Sequence, residues 1–146
     1  MRHYLIAVFA AVAITLVACD FGPKSASGFR LPDGDIERGN AAFLELKCTA
    51  CHTVSGMELP PPPSAPAVNL VLGGQVTSVR TYGQLVRSII NPSHKLAPGY
   101  PKELISVDGK SKMTNFNDAM TVHQMIDLVA FLQSRYNVVL PQPTHY

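Results

Sequence analysis

The sequence predicts a small all-α domain with long irregular connections, and two observations carry that expectation. Three segments place apolar residues at the three- and four-residue spacing of a helix with one buried face, and no strand-helix alternation or internal repeat runs through the chain. Between those segments lie stretches broken by Pro and Gly, which number 12 and 10 among 146 residues. The net charge of +2 gives no electrostatic case for a nucleic-acid partner.

The chain opens with MRHYLIAVFAAVAITLVACD, a basic start at Arg2 leading into an apolar run from Tyr4 to Ala18. That is the layout of a secretory signal, and the run falls short of the about 20 apolar residues that span a bilayer. Its end, Leu16-Val17-Ala18-Cys19, resembles a bacterial lipobox. Residues 1–18 are therefore expected to be a lipoprotein signal peptide and Cys19 the lipidated residue. An uncleaved anchor helix is the alternative, and both leave the chain exported and tethered to a membrane. Asp20 resembles the residue that retains many such lipoproteins on the inner membrane. Residues 19–33, rich in Gly, Ser and Pro, read as a flexible tether. Residues 34–146 form the expected domain.

The first helix is expected over DIERGNAAFLELK, capped by Asp33 or Asp35, with Ile36, Gly39, Phe43 and Leu46 on one stripe. A glycine inside a helix costs about 1 kcal/mol against alanine, so Gly39 suggests a close backbone approach or a tolerated glycine. The proline run from Pro60 to Pro63, with Pro66, imposes extended chain and leaves no room for a helix or a central strand. The second helix, TYGQLVRSIIN, has Thr81 as candidate cap, an apolar face of Tyr82, Leu85, Val86, Ile89 and Ile90, and Pro92 just past its end. An irregular segment follows, with a short hairpin conceivable at Asp108-Gly109. The last helix is the best marked. Thr121 and Gln124 form a capping box, and Val122, Met125, Ile126, Val129 and Leu132 keep the helical period.

KCTACHTVSG places Cys48, Cys51 and His52 within five residues. Such spacing serves a dithiol couple, half of a zinc site, or covalent attachment of a c-type haem. Zinc needs four ligands, and no second Cys-x-x-Cys or His pair completes the shell. A dithiol couple belongs between a strand and a helix, whereas a helix precedes Cys48. Haem attachment needs two thiols for the porphyrin vinyl groups and an imidazole directly after them for the iron, in that order. With Cys19 taken by lipid and Cys48 and Cys51 by haem c, the three cysteines are all used. A chain without tryptophan gains core from a buried porphyrin.

Over about residues 35–136, Gly39 and Phe43 ahead of CTACH, then KMTNF, then HQMIDLVAFLQSRY, make the chain resemble the single-haem class I c-type cytochromes. The resemblance implies the small cytochrome c fold, helices packed around one covalent haem. It places Gly39 and Phe43 against Leu128, Phe131 and Leu132 where the first and last helices cross. The family usually has proline after the ligand methionine, and here Thr114 follows Met113. The family also supplies a proline carbonyl to orient the ligand histidine. SAPAVNL resembles that region, which makes Pro66 the candidate orienter of His52, or else a proline that only shapes the loop. Arg80, Tyr82 and Tyr100 are available donors to haem propionates. SIINPSHKLAPGY looks like a pattern in cytochrome domains of larger dehydrogenases and oxidases.

The sixth ligand lies among Met57, Met113, Met120, Met125, His94 and His123. Met57 follows His52 too closely to reach the opposite face of a porphyrin, Met125 sits on the apolar stripe as core filler, and His94 and His123 read as exposed. Met120 also flanks the last helix. Met113, in a Gly, Ser, Lys and Asn loop that can pass round a haem edge, is the expected ligand. Histidine with methionine saturates the iron and favours Fe(II), which implies one-electron transfer rather than catalysis, with no small-molecule substrate. The expected protein is a periplasmic carrier, or cytochrome subunit of a respiratory or dehydrogenase complex, lipid-anchored to the inner membrane between a redox donor and acceptor. If Met113 does not ligate, an open iron would suit a gas sensor or weak peroxidase. A partner-docking module with haem as structural core is the remaining alternative.

Overall fold

A computed structural model describes residues 30–62, 64–65 and 68–139. Every helix and strand of the described residues belongs to one compact unit, Pro32–Tyr146. The expected signal peptide and Cys19 lie outside the described residues, as do most of the tether and Pro66.

Helix α1 spans Ile36–Glu45, and Asp35 caps it by accepting the Arg38 N–H at 2.8 Å. It buries Gly39, Ala42 and Phe43, whereas Ile36 remains 41% exposed. Helix α2, Tyr82–Ile90, begins with a full capping box between Thr81 and Gln84 and buries Leu85, Val86 and Ile89. Helix α3, Lys102–Ile105, is a single turn too short to show a period. Helix α4, Val122–Gln133, has the capping box of Thr121 and Gln124 and buries a run from Ile126 to Val129 with Phe131 and Leu132. Val122 was expected on its buried stripe but is 68% exposed. A helical period marks a face, but burial also needs another segment over that turn.

The all-α expectation holds for the core and needs correction at the connections. Strand β1 (His52–Val54) pairs in parallel with β2 (Leu70–Leu72), and β3 (Gly74–Val76) pairs in parallel with β6 (Tyr136–Val138). Strands β4 (Ser106–Val107) and β5 (Lys110–Ser111) form an antiparallel hairpin at the Asp108-Gly109 turn, where both residues have positive φ, 49° and 75°. That is the backbone an Asp-Gly hairpin turn requires. Each described sheet has two strands of two or three residues, so none forms a layer of the core. The segment around the proline run, expected to be extended without a helix or a central strand, contributes β2 and β3, each paired on one side only, and the segment expected to be irregular contributes α3 and the β4–β5 hairpin. The backbone groups of these strands find partners on segments distant in sequence, β1 for β2 and β6 for β3.

The core is the contact of α1 with α4. Phe43 and Phe131 are the largest fully buried side chains, with ring centroids 5.7 Å apart and planes tilted by 56°. Burying each ring contributes about 2 kcal/mol, and their pairing adds roughly another 1. Gly39 makes the approach possible. A methyl group there would collide with the Asp127 carbonyl oxygen and stand 2.6 Å from the Phe131 Cβ. The glycine is therefore required by packing, as the resemblance implied. Beside it, buried Asp127 accepts the Asp35 backbone N–H at 2.7 Å and the Arg38 Nε–H at 2.8 Å, with Nη2 at 3.3 Å. The start of α1 is thus fastened to the middle of α4 by a charge-assisted network.

Candidate functional site

Lys47 ends the first helical segment in the left-handed region, φ 56°, and turns the chain into a 3-10 turn over Cys48–Ala50. The Cys51 N–H closes this turn on the Cys48 carbonyl at 3.2 Å. Before any attachment both cysteines are thiols, Cys48 half-buried and Cys51 exposed. Burial pushes the Cys48 thiol up to about 11, so it is held protonated. His52 follows as the first residue of β1.

His52 is oriented by main chain. Its Nδ1 lies 3.3 Å from the carbonyl oxygen of Leu70, the residue it faces in the β1–β2 register. A carbonyl only accepts, so Nδ1–H donates, leaving Nε2 with its lone pair free. Burial pushes the imidazole below its ordinary pKa, and the Leu70 carbonyl acts weakly the other way. The imidazole is accordingly neutral near neutral pH. Pro66, the expected orienter, lies outside the described residues, and the described partner of Nδ1 is Leu70.

Cys48 and His52 open onto an apolar pocket. Cys48 and His52 lie on one segment of its lining, and Met113, Phe116 and Met120 belong to the segment before α4. Phe43, Leu85, Ile89, Leu128 and Leu132 complete an apolar wall from α1, α2 and α4. The donor set, a thiol, an imidazole and a thioether in an otherwise apolar cavity, fits a porphyrin with its iron. Among the described residues no group of three His, Cys, Asp or Glu side chains could hold a metal ion, as the zinc alternative would need.

Of the six candidates for the second axial position, Met113 and Met120 line the pocket. Met57 and Met125 are half-buried and His94 and His123 exposed, all four outside that lining. Nor do Arg80, Tyr82 or Tyr100 line it, and the Tyr100 hydroxyl instead accepts the Val71 N–H at 3.3 Å. The sequence reading did not single out Phe116 or Leu72 for the wall. Both sit in short irregular or extended segments whose apolar residues have no period to reveal a face.

A small helical core enclosing an apolar pocket with Cys-x-x-Cys-His at its wall defines a haem-binding electron-transfer domain. The chain belongs to the cytochrome c family, whose model, described as Cytochrome c, matches residues 36–135. The family binds covalently attached haem c, supports haem-based electron transfer, and passes electrons to redox partners. No curated protein and no solved structure matches the chain.

Proposed function

We propose that this chain is a single-haem carrier of one electron at a time, with His52 and Met113 as the axial ligands. The observation behind that reading is the pocket, in which His52 and Met113 meet with Cys48. Haem c supplies a one-electron Fe(III)/Fe(II) couple when bound. Cys48 and Cys51 would hold it through thioether bonds, which end their titration as thiols. His52 offers Nε2, its ring held by the bond to Leu70. The Met113 thioether favours Fe(II) and so raises the potential relative to a second imidazole. Phe43, Leu128 and Leu132 exclude water from one wall, which keeps the local dielectric low. Held by both His52 and Met113, the group would have no position for substrate, and the chain would act as carrier rather than enzyme.

The anchor and the location rest on sequence pattern, namely the apolar run ending in Leu16-Val17-Ala18-Cys19. The proposed place is the periplasmic face of the inner membrane, with the domain carried on a lipidated Cys19 and exchanging electrons with a donor and an acceptor protein. Among the described residues no helix is long and apolar enough to cross a membrane.

Met120 shares the pocket and is the competing thioether. The deciding experiment compares ferric absorption spectra and midpoint potentials of Met113→His and Met120→Leu. Met113→His should remove the weak red absorption band of methionine-ligated ferric haem and lower the potential, with Met120→Leu leaving both near wild type. The reverse pattern would transfer the ligand role to Met120. A wild-type protein without the band would favour the open-iron reading. Cys19→Ser should abolish lipid labelling, and a retained label would refute the anchor.

A further inference from the structure

The Met113 loop is tied at two points, to the last turn of α2 and to the turn just past its end. On one side the Ser111 N–H donates to the Ser93 hydroxyl at 3.1 Å, and the Ser111 hydroxyl in turn accepts the Met113 N–H at 3.2 Å. On the other, the Asn117 side-chain amide donates to the Ile90 carbonyl at 3.0 Å. That carbonyl belongs to the last turn of a helix and has no intrahelical donor of its own. The two ties bracket Met113, two residues before it and four after. The same helix lines the pocket with Leu85 and Ile89. One element thus forms part of the wall and holds the loop that carries the thioether.

We infer that Ser93 and Asn117 are positioning residues that keep the Met113 loop closed over the pocket and so restrict access of outside ligands to the iron. This rests on Met113 being the axial ligand. When the loop swings away the methionine leaves with it, because its own N–H is bonded to the tied Ser111. Lys112 adds a hold on the side of α3, its N–H donating to the Ile105 carbonyl at 2.9 Å and its ammonium to the Glu103 carbonyl at 2.7 Å. Both α2 ties depend on a side chain that truncation removes, and both lie at the surface, where exchange with water makes opening inexpensive. A ligand that binds only the open form has an apparent affinity scaled by the open fraction. Loosening the loop must therefore tighten outside ligands.

The test is titration of the full-length ferric holoprotein with imidazole, read by the loss of the methionine band. Ser93→Ala and Asn117→Ala should each raise apparent imidazole affinity about 2- to 10-fold, the effect of one neutral hydrogen bond, and the double variant by more than either. Ser93→Thr keeps a hydroxyl and should restore wild-type affinity. Ser134→Ala, which loses a hydroxyl bonded to the Phe131 carbonyl, should leave it unchanged. A double variant with wild-type affinity overturns the inference, as does an equal rise in Ser134→Ala. Met113→Ala separates the two levels. If it binds imidazole no better than wild type, the ligand assignment itself fails. If it binds much better and the tie variants do not, only the role of Ser93 and Asn117 falls.

Discussion

Arg38 on α1 and Asp127 on α4 form an ion pair, Nε to Oδ2 at 2.8 Å, in which the carboxylate is buried and the guanidinium stands mostly in solvent. The Arg38 hydrogen bond, followed by the Asp35 N–H, holds the Asp127 carboxyl below its ordinary value near 3.8, against the upward push of burial. His123 adds a smaller pull in the same direction.

A carboxyl depressed in the folded state contributes stability above its unfolded pKa and loses it as pH falls through the folded value. Unfolding free energy should therefore decline with acid from about pH 5 downward, and Asp127→Asn should show a shallower decline and lower stability at neutral pH. Urea midpoints over a pH series measure both. Equal slopes in the two proteins would remove Asp127 from the account.

Gly39→Ala sets two effects against each other. Alanine gains about 1 kcal/mol of helix propensity, but its methyl group meets the Asp127 carbonyl and Phe131, and overpacking of that kind costs about 3 kcal/mol or more. The clash wins, since one side of it is backbone that cannot rotate away. Denaturation of the holoprotein should show a net loss of roughly 2 kcal/mol. A stabilised variant would mean that the helices approach less closely.

Phe131→Ala empties the centre of the α1–α4 contact and removes the ring beneath the Arg135 guanidinium, 5.1 Å from its centroid. The expected cost is about 3–5 kcal/mol. Phe131→Leu, which keeps most of the volume, should cost clearly less, and equal losses would argue against a cavity as the cause.

Cys48→Ala with Cys51→Ala should give a chain without covalent haem and with weakened structure, since the pocket walls of α1, α2 and α4 then face an empty space. Haem stain surviving denaturing electrophoresis of the double variant would contradict the attachment. Each single change should weaken haem retention.

The three longer helices were legible because their signals are local, whereas the single turn of α3 fell in a segment read as irregular. Asp35, Thr81 with Gln84, and Thr121 with Gln124 cap within three residues, and Phe43 and Leu132 fall on stripes countable by eye. Gly39 was legible through its cost, since a helix keeps an interior glycine against propensity when something presses on it. The parallel pairings of β1 with β2 and β3 with β6 were not legible, because strands of three residues carry no pattern of their own and their partners are set by the folded core. The Arg38–Asp127 pair joins ends of the chain that only the α1–α4 contact brings together. One motif pointed to Cys48, Cys51 and His52, and the structure brings Cys48 and His52 to the pocket wall. The sequence ranked Met113 above Met120 by loop geometry, whereas both enter the pocket, Met120 from the turn closed on the Phe116 carbonyl just before α4.

The acceptor that orients His52 is a main-chain carbonyl, at a position fixed by ladder register. Every residue type carries that carbonyl, so exchanging Leu70 for another amino acid cannot delete it. Only an insertion or deletion that slips β2 against β1 can take it away. Control of the imidazole is therefore insulated from side-chain exchange at position 70 and depends instead on the register of β2 against β1.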